Sequence, residues 1–246
     1  MPATPAWPPQ SAPRLFIDAP LAEGPIRIDG AQAHYLAGVM RLKPGEAIKL
    51  FDDRTGEWAA VATSVGRRDV MLEVTTQLRP REAVPDLWLC AAPIKKGRID
   101  WVAEKACELG VARLVPVLTQ RTIVDRLNGE RLRAHMVEAA EQCGRTALPE
   151  LAEPVKLSAL LRDWPADRAL FFADETGGTP AWSAMRAHRG PAAILIGPEG
   201  GFEPAERDAI RALSQAVGIG LGPRILRAET AAAAAVTLWM GAAGDW

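Results

Sequence analysis

Two glycine- and proline-rich segments near the carboxy terminus have the residue types that form ligand-binding turns. The first, Ile196–Phe202, has the sequence Ile-Gly-Pro-Glu-Gly-Gly-Phe, and the second, Leu221–Ala231, has the sequence Leu-Gly-Pro-Arg-Ile-Leu-Arg-Ala-Glu-Thr-Ala. Each follows a short apolar run typical of a buried strand and precedes a segment with helical character. We therefore predict two strand-to-helix turns at one edge of an α/β sheet, where such sheets bind ligands.

The glycines of the first turn allow the backbone to approach a ligand closely, and the helix that follows presents unpaired N–H groups to an anion. A tight turn without a ligand is the alternative for one such segment alone, but a second turn after the next strand favours a shared ligand. The two common nucleotide motifs do not fit. The chain lacks a Gly-x-x-x-x-Gly-Lys-Ser/Thr sequence, and Pro223 stands where the third glycine of a dinucleotide fingerprint belongs.

The composition is that of a globular protein, with 48% hydrophobic and 24% charged residues. The formal net charge of -1 argues against indiscriminate nucleic-acid binding but leaves local basic patches open. Cys90, Cys107 and Cys143 lack the paired spacing of a zinc site or a disulfide framework, which favours reduced thiols in an intracellular protein. The histidines are also scattered, so we predict no metal site; they are His34, His135 and His188.

The ends of the chain carry no predicted membrane or secretion signal. Residues 1–13 contain five prolines and no Lys or Arg, which predicts a disordered tail rather than a signal peptide. The longest apolar stretch, Ala231–Ala243, is shorter than the ~20 residues that cross a bilayer, and we expect a buried or interface helix. The prediction is a cytoplasmic protein with no membrane partner.

The pattern of apolar residues predicts two domains. Residues 14–80 form a β-rich domain interrupted by one helix, residues 81–86 form a Pro-punctuated linker, and residues 87–246 alternate strands and helices as an α/β domain. The predicted strands are Arg14–Ile17, Ala47–Phe51, Trp58–Ser64, Val70–Gln77, Leu87–Ala92, Arg113–Leu118, Ala169–Ala173, Ala192–Ile196 and Val217–Leu221. The main predicted helices are Ala31–Met40, a helix through Ile99–Ala106, Glu130–Gly144, Glu203–Ser214 and Ala228–Ala243.

Taken together, motifs along nearly the whole chain resemble one family. The motifs are Arg14-Leu15-Phe16, His34 with Val39-Met40-Arg41 and Pro44-Gly45, Lys96 with Lys105 and Glu108–Val111, Arg121, Glu138–Gln142 with Arg145 and Pro149, and both late turns. They are similar to RNA methyltransferases of the SPOUT class, and within that class to the family that methylates N3 of a uridine in small-subunit (16S) ribosomal RNA. The Pro-rich leader and Cys143 depart from the family pattern.

The resemblance implies a fold, a cofactor and partners. The fold is α/β, with a carboxy-terminal SPOUT domain whose chain end forms a trefoil knot and an amino-terminal PUA-like β-barrel that binds RNA. The general avoidance of threaded chains would have argued against a knot. The cofactor is S-adenosylmethionine, the substrate is ribosomal RNA or the small ribosomal subunit, and the family is homodimeric, with helix 228–243 as a candidate for the contact between subunits.

Three segments are expected to hold the cofactor in a mostly apolar pocket with a few placed polar groups. A strand end supplies Phe172, Ala173 and Glu175. The first turn supplies Ile196, Gly197, Pro198, Gly200 and Gly201, and the second supplies Leu221, Gly222, Ile225, Leu226, Glu229, Thr230 and Ala231.

The catalytic and RNA-binding candidates are charged residues. Arg227 would bind substrate phosphate or stabilise a developing uracil oxyanion, with a salt bridge to Glu199 or Glu229 as its structural alternative. Glu199 is the hypothetical general base, and its alternative is a carboxylate that shapes the turn. The candidates for RNA contact are Arg14, Arg41, Lys95, Lys96, Arg98 and Arg145.

Two other functions fit the same pattern. One is a SPOUT-class methyltransferase that acts on transfer RNA or on a ribose 2′-hydroxyl. The other is a non-catalytic RNA-binding factor of ribosome assembly, which would bind RNA without binding S-adenosylmethionine.

Overall fold

A computed structural model of the chain describes residues 7–95, 97–124 and 126–246. These residues cluster into two compact units. The first comprises the chain up to Ala83 together with Ala140–Ala147, and the second comprises Val84–Ala139 and Leu148–Trp246. Among the described residues, no helix combines the length and the apolar character needed to span a membrane.

The first unit is built on a five-stranded sheet in the order β1-β3-β4-β5-β2, in which β1 and β3 are parallel and the other neighbours antiparallel. Its core is a cluster of aliphatic side chains that includes Leu36, Ile48 and Leu72. The elements are β1 (Arg14–Phe16), β2 (Gly24–Asp29), α1 (Gly30–His34), a π-helical turn (Tyr35–Val39), β3 (Ala47–Phe51), β4 (Gly56–Val65) and β5 (Asp69–Pro80).

Within the first unit, a buried carboxylate joins segments that are distant in sequence. Glu57 on β4 accepts hydrogen bonds from Arg14 and Arg79, and the two arginines also donate to the carbonyls of Ala140, Gly144 and Arg145. Burial acts to raise the pKa of Glu57, but the two guanidinium groups hold it below its usual value. These bonds explain why residues 140–147, which the sequence assigns to the second domain, cluster with the first unit.

The second unit contains a parallel sheet in the order β11-β13-β10-β12-β6-β7-β8, and β9 pairs with β7 off this path. Its strands are β6 (Leu87–Ala91), β7 (Arg113–Leu118), β8 (Glu150–Leu151), β9 (Val155–Lys156), β10 (Ala169–Ala173), β11 (Thr179–Pro180), β12 (Ala192–Ile196) and β13 (Ala216–Gly220). Its helices are α2 (Arg98–Glu108), α3 (Gly129–Cys143), α4 (Leu157–Arg162), α5 (Ala181–Arg186), α6 (Pro204–Ala212) and α7 (Ala228–Ala243).

Local sequence signals explain where several of these elements begin and end. Pro204 occupies the first turn of α6, where the missing N–H removes no helical hydrogen bond, and Glu203 and Glu206 form a reciprocal capping box. Gly110 follows α2 with φ of 86°, a left-handed conformation that glycine adopts without strain. The strands β12 and β10 are buried on both faces, as continuous apolar runs in a parallel sheet require.

Some predicted elements differ from the structure. The helix predicted over Ala31–Met40 is α1 followed by the π-helical turn, and its last residue lies outside both. The strand β2 was missed because Gly24 and Pro25 disfavour a strand assignment. The sequence also gave no indication of α4, α5 or the two-residue strands β8, β9 and β11. Of the leader predicted as a disordered tail, residues 7–13 are described, and the Pro13 carbonyl accepts a hydrogen bond from Lys49 N.

The three cysteines differ in burial, which predicts their reactivity. Cys90 and Cys107 are buried thiols and Cys143 is exposed. Burial raises the pKa of the Cys90 thiol to about 12, so the reactive thiolate is scarce at neutral pH. We expect Ellman's reagent to modify one thiol per native chain rapidly and all three after denaturation. The variant Cys143→Ser should lose the rapid reaction, whereas rapid modification of two thiols in the native chain would contradict this assignment.

Candidate functional site

A cavity of about 630 Å³ lies at the edge of the parallel sheet where β10, β12 and β13 end. In the sheet β10 lies between β12 and β13, and the three strands are parallel. Their carboxyl ends therefore meet at one edge, and the three segments that follow them enclose one space. The volume is that of a site for a small organic molecule or cofactor.

The segment after β12 forms a tight turn against the cavity. Gly201 N donates to Pro198 O at 2.9 Å, and Gly201 has φ of 69°, which a residue with a side chain rarely adopts. A Cβ on Gly201 would lie 2.5 Å from Glu175 Oε1, and one on Gly197 would lie 3.1 Å from the Phe202 ring. The backbone conformation therefore favours glycine at position 201, and a side chain at position 197 would require the Phe202 ring to shift.

The segment after β13 forms the opposite wall. Gly222 has φ of 105°, and the chain then runs along the cavity to Arg227, which occupies the N-cap position of α7. Ile225 is 94% exposed, although it is a large apolar residue. Such a side chain at the rim of a cavity is expected to be covered when a ligand is present.

The third wall follows β10 and contains a buried acidic residue. Asp174 Oδ2 accepts from Arg211 Nη2 at 2.6 Å, and Asp174 Oδ1 accepts from Thr176 Oγ1 at 2.7 Å. Burial acts to raise the pKa of Asp174, but the hydrogen bonds from Arg211 and Thr176 hold it below the usual value. The next residue, Glu175, accepts from Arg207 Nη2 at 2.8 Å.

Backbone contact also fixes this third wall. Gly178 lies so close to β13 that a Cβ would be 2.6 Å from Gly218 C and O. A side chain at this position would displace one of the two segments, so only glycine permits the observed approach.

Most residues predicted to bind a cofactor lie around this one cavity. Those in its lining are Ala173, Glu175, Ile196, Gly197, Pro198, Gly201, Leu221, Gly222, Ile225, Leu226 and Ala231, together with the two catalytic candidates Glu199 and Arg227. Four predicted residues lie outside the lining, namely Phe172, Gly200, Glu229 and Thr230.

The reasons for these four differences are local. Phe172 is 2% exposed and its side chain belongs to the core, because successive residues of a strand point to opposite faces of the sheet and Phe172 points to a packed face. The carbonyl of Gly200 accepts from Arg121, which lies beside the turn. Glu229 pairs with Arg98 on α2, with 3.5 Å between Glu229 Oε1 and Arg98 Nε. Thr230 is an exposed residue of the first turn of α7.

Other lining residues were not predicted. They include Asp174, Gly177, Gly178, Phe202, Arg207, Ile219 and Arg224. The sequence Asp174–Gly178, Asp-Glu-Thr-Gly-Gly, follows a strand and ends in two glycines, so the argument used for the two late turns would have identified this third turn as well.

Arg98 and Glu199 form an ion pair. Arg98 Nη1 lies 3.5 Å from Glu199 Oε1, so this arginine pairs with carboxylates of both late segments, Glu199 and Glu229. The sequence offered Arg227 as the structural partner of these acids, but in the described structure that partner is Arg98.

Two arginines predicted to contact RNA have largely buried side chains with partners inside the protein, which favours a structural role for them. Arg14 has a side-chain exposure of 10%, donates to Glu57 and to backbone carbonyls, and lies over the Phe51 ring at 3.7 Å. Arg145 has a side-chain exposure of 5% and lies 3.5 Å from Glu82 Oε1. Arg41 and Lys95 are exposed, whereas Lys96 lies outside the described residues.

The described residues contain no group of three or more His, Cys, Asp or Glu side chains that could hold a metal ion. The lining of the cavity itself combines apolar side chains, glycines and a few charged side chains.

The fold and the site define an α/β protein that binds a small organic ligand at the carboxyl edge of a parallel sheet. Comparison with known families narrows this class. The RNA methyltransferase domain family matches residues 80–240, and the RNA methyltransferase PUA domain family matches residues 28–75. Because the first match covers more than half of the chain, this protein belongs to the RNA methyltransferase domain family.

Individual relatives agree with this assignment. The chain is 28% identical over 229 residues to ribosomal RNA small subunit methyltransferase E of Rickettsia conorii, covering 91% of this chain and 93% of the relative. The corresponding protein of Bacillus subtilis is 29% identical over 220 residues, covering 83% of this chain and 85% of the relative.

Solved structures have the same fold. Ribosomal RNA small subunit methyltransferase E from Neisseria gonorrhoeae, bound to S-adenosylmethionine, has a TM-score of 0.85 and 26% identity, covering 96% of this chain and 99% of that one. A Legionella pneumophila protein in complex with the same cofactor has a TM-score of 0.86 and 28% identity, with the same coverage of 96% and 99%.

The Asp174 contacts predict how stability depends on pH. Because its folded-state pKa is depressed, the ionised carboxylate stabilises the fold above the unfolded-state pKa near 3.8, and this contribution is lost as the pH falls through the folded-state value. We expect Asp174→Asn to lower the free energy of unfolding at pH 7 by about 1–3 kcal/mol. Urea denaturation at several pH values measures this. A deficit that stays constant well below pH 3.8 would contradict the charge-based explanation.

Proposed function

We propose that this protein is a SPOUT-class enzyme that uses S-adenosylmethionine to methylate N3 of a uridine in small-subunit (16S) ribosomal RNA. The observation that carries the proposal is the single cavity formed by both late glycine-rich turns and the end of β10, in a chain of the RNA methyltransferase family. The names of the relatives and the S-adenosylmethionine in the similar solved structures support the substrate and the cofactor.

The lining of the cavity fits the proposed cofactor. Leu221, Ile225 and Leu226 offer an apolar surface for the adenine ring, and the tight turn at Gly197 and Gly201 brings backbone polar groups to the same space. The carboxylate of Glu175 lies among these residues and is an acceptor for hydroxyl groups. When bound, S-adenosylmethionine supplies an electrophilic methyl group.

The protein must then position the uracil and assist its deprotonation. Arg227 is exposed and lines the cavity at the start of α7, a place from which its guanidinium can stabilise negative charge on a uracil oxygen or bind a phosphate. Glu199 lines the same cavity and is the proposed proton acceptor, although its pairing with Arg98 also supports a purely structural role.

The RNA-binding part of the proposal rests on exposed basic residues and on the first unit. Arg41 and Lys95 are exposed and remain proposed RNA contacts, and so does Lys96, which lies outside the described residues. We propose that the five strands of the first unit form a PUA-like barrel, which the PUA family match over residues 28–75 supports.

Three finer features complete the proposal. The chain end forms a trefoil knot, as the resemblance to the SPOUT class implies, and the match to the RNA methyltransferase domain family supports this feature. The enzyme is a homodimer, which is supported by exposed tryptophans on two of those helices, Trp101 and Trp182. It acts in the cytoplasm, where its ribosomal substrate is made.

The substrate is tested by analysing ribosomal RNA from a strain that lacks the gene. We expect 3-methyluridine to disappear from the small-subunit RNA, as measured by mass spectrometry of nucleosides, and to return when the wild-type gene is restored. Purified protein should transfer a labelled methyl group from S-adenosylmethionine to small subunits from that strain. Persistence of 3-methyluridine in the deletion strain would refute the proposed substrate.

The two catalytic candidates are tested by separate substitutions in the labelled methyl-transfer assay. We expect Arg227→Ala to lower kcat about 100- to 1,000-fold if its guanidinium stabilises a uracil oxyanion. A higher KM for RNA with unchanged kcat would instead assign Arg227 to phosphate binding. Glu199→Gln should lower kcat about 100-fold or more if Glu199 accepts the proton. Activity within a few-fold of wild type would remove Glu199 from the catalytic residues.

A further inference from the structure

Two arginines outside the cavity hold the turn that forms its first wall. This turn, Pro198–Gly201, lines the cavity with Pro198, Glu199 and Gly201, whereas Gly200 is not part of the lining. The turn has one internal hydrogen bond, from Gly201 N to Pro198 O. Side chains from the loop after β7 and from α2 add contacts to the turn from outside.

Arg121, in the loop after β7, contacts the outer side of the turn. Its Nη1 donates to the carbonyl of Gly200, and its Nε donates to Glu203 Oε1 at 2.8 Å. A Cβ on Gly200 would lie 3.3 Å from Arg121 Cδ, so the side chain packs closely against this glycine. One guanidinium thus joins the turn to the residue that caps α6.

Backbone contacts hold the loop that carries Arg121. Gln120 N donates to Glu206 Oε1 at 2.8 Å, while Glu206 Oε2 accepts from Glu203 N at 3.1 Å. The carboxylate of Glu206 therefore joins the Arg121 loop to the amino end of α6. Glu206 thus holds both the backbone beside Arg121 and the residue Glu203, to which Arg121 donates. These contacts give the guanidinium a defined position relative to the turn.

Arg98 contacts the same turn from α2. It pairs with Glu199 of the turn and with Glu229 at the start of α7, at 3.5 Å in both cases. The segments that carry these two acids form two different walls of the cavity. Arg98 therefore links the first wall to the second.

The surroundings of both arginines are unfavourable for a phosphate. Arg121 lies against Glu203, with Glu175 and Glu206 also close enough to interact with its charge. Arg98 already lies between two carboxylates. A phosphate at either guanidinium would meet like charges on these acids, so the contacts favour a role within the protein over RNA binding.

We propose that Arg121 and Arg98 are positioning residues that hold the Pro198–Gly201 turn in the conformation that binds the cofactor. The proposal rests on the proposed function, because it assumes that this cavity binds S-adenosylmethionine. It also reassigns Arg98, which the sequence places among the RNA contacts. Exposed ion pairs contribute little to global stability, so the effect of these arginines should appear in ligand affinity rather than in unfolding.

The test is calorimetric titration of the full-length protein with S-adenosylmethionine. We expect Arg121→Ala to raise the Kd for S-adenosylmethionine about 10- to 100-fold, because small displacements of a preorganised site are costly. Its melting temperature and its affinity for small-subunit ribosomal RNA should remain close to wild type. Arg121→Lys should be intermediate, since a single ammonium group cannot keep the fork-like contact with both Glu203 and Gly200.

Two further variants make the outcome decisive. Arg98→Ala should also weaken S-adenosylmethionine binding, and Arg186→Ala, which removes an exposed arginine from α5, is the matched control and should leave it unchanged. Cofactor affinity within twofold of wild type in both Arg121→Ala and Arg98→Ala would overturn the proposal. If RNA affinity fell instead, the arginines would be RNA contacts. Failure of the wild-type protein to bind S-adenosylmethionine would refute the proposed function itself.

Discussion

The parallel pairing of β10 with both β12 and β13 is the constraint on which the site depends. Because the three strands run in the same direction, the segments that leave them emerge at the same edge of the sheet. Two segments separated by a helix and a strand in sequence thus become walls of one cavity. The register also matters, since a shift of one residue in β10 would turn Asp174 away from its partners and move a core side chain to the strand end.

Glycines are as important for the shape of the site as the residues with side chains. Gly201 has a left-handed conformation beside Glu175, and Gly178 lies against the backbone of Gly218. A methyl group would meet the Glu175 side chain at the first position and the backbone of Gly218 at the second. Glycine loses more conformational freedom on folding than other residues, so the cavity is obtained at some cost in stability. The hydrogen bond from Arg211 to the buried carboxylate of Asp174 helps to hold the third wall, which contains Gly178, in place.

Local sequence patterns were sufficient to predict the strands and turns whose conformation depends mainly on neighbouring residues. Glycines and prolines after apolar runs identified two walls of the cavity, and the strands β3, β10 and β12 were predicted with the bounds observed. The fate of individual arginines was not predictable in this way. Arg14 is buried because it reaches a carbonyl 126 residues away at Ala140, and no local pattern distinguishes it from an exposed arginine such as Arg41. Only the tertiary fold decides which basic groups remain available for an anionic substrate.

The arginines around the cavity differ in whether they pair with a carboxylate. Four arginines near the cavity contact carboxylates: Arg98 with Glu199 and Glu229, Arg121 with Glu203, Arg207 with Glu175, and Arg211 with Asp174. Arg224 and Arg227 also line the cavity, are exposed, and take part in none of the ion pairs found among the described residues. A near-neutral protein can present a basic surface to RNA only where arginines lack acidic partners, because a paired guanidinium must first give up its carboxylate. The second late segment therefore carries the basic groups best placed for the proposed RNA substrate, while the arginines beside the first serve to hold its shape.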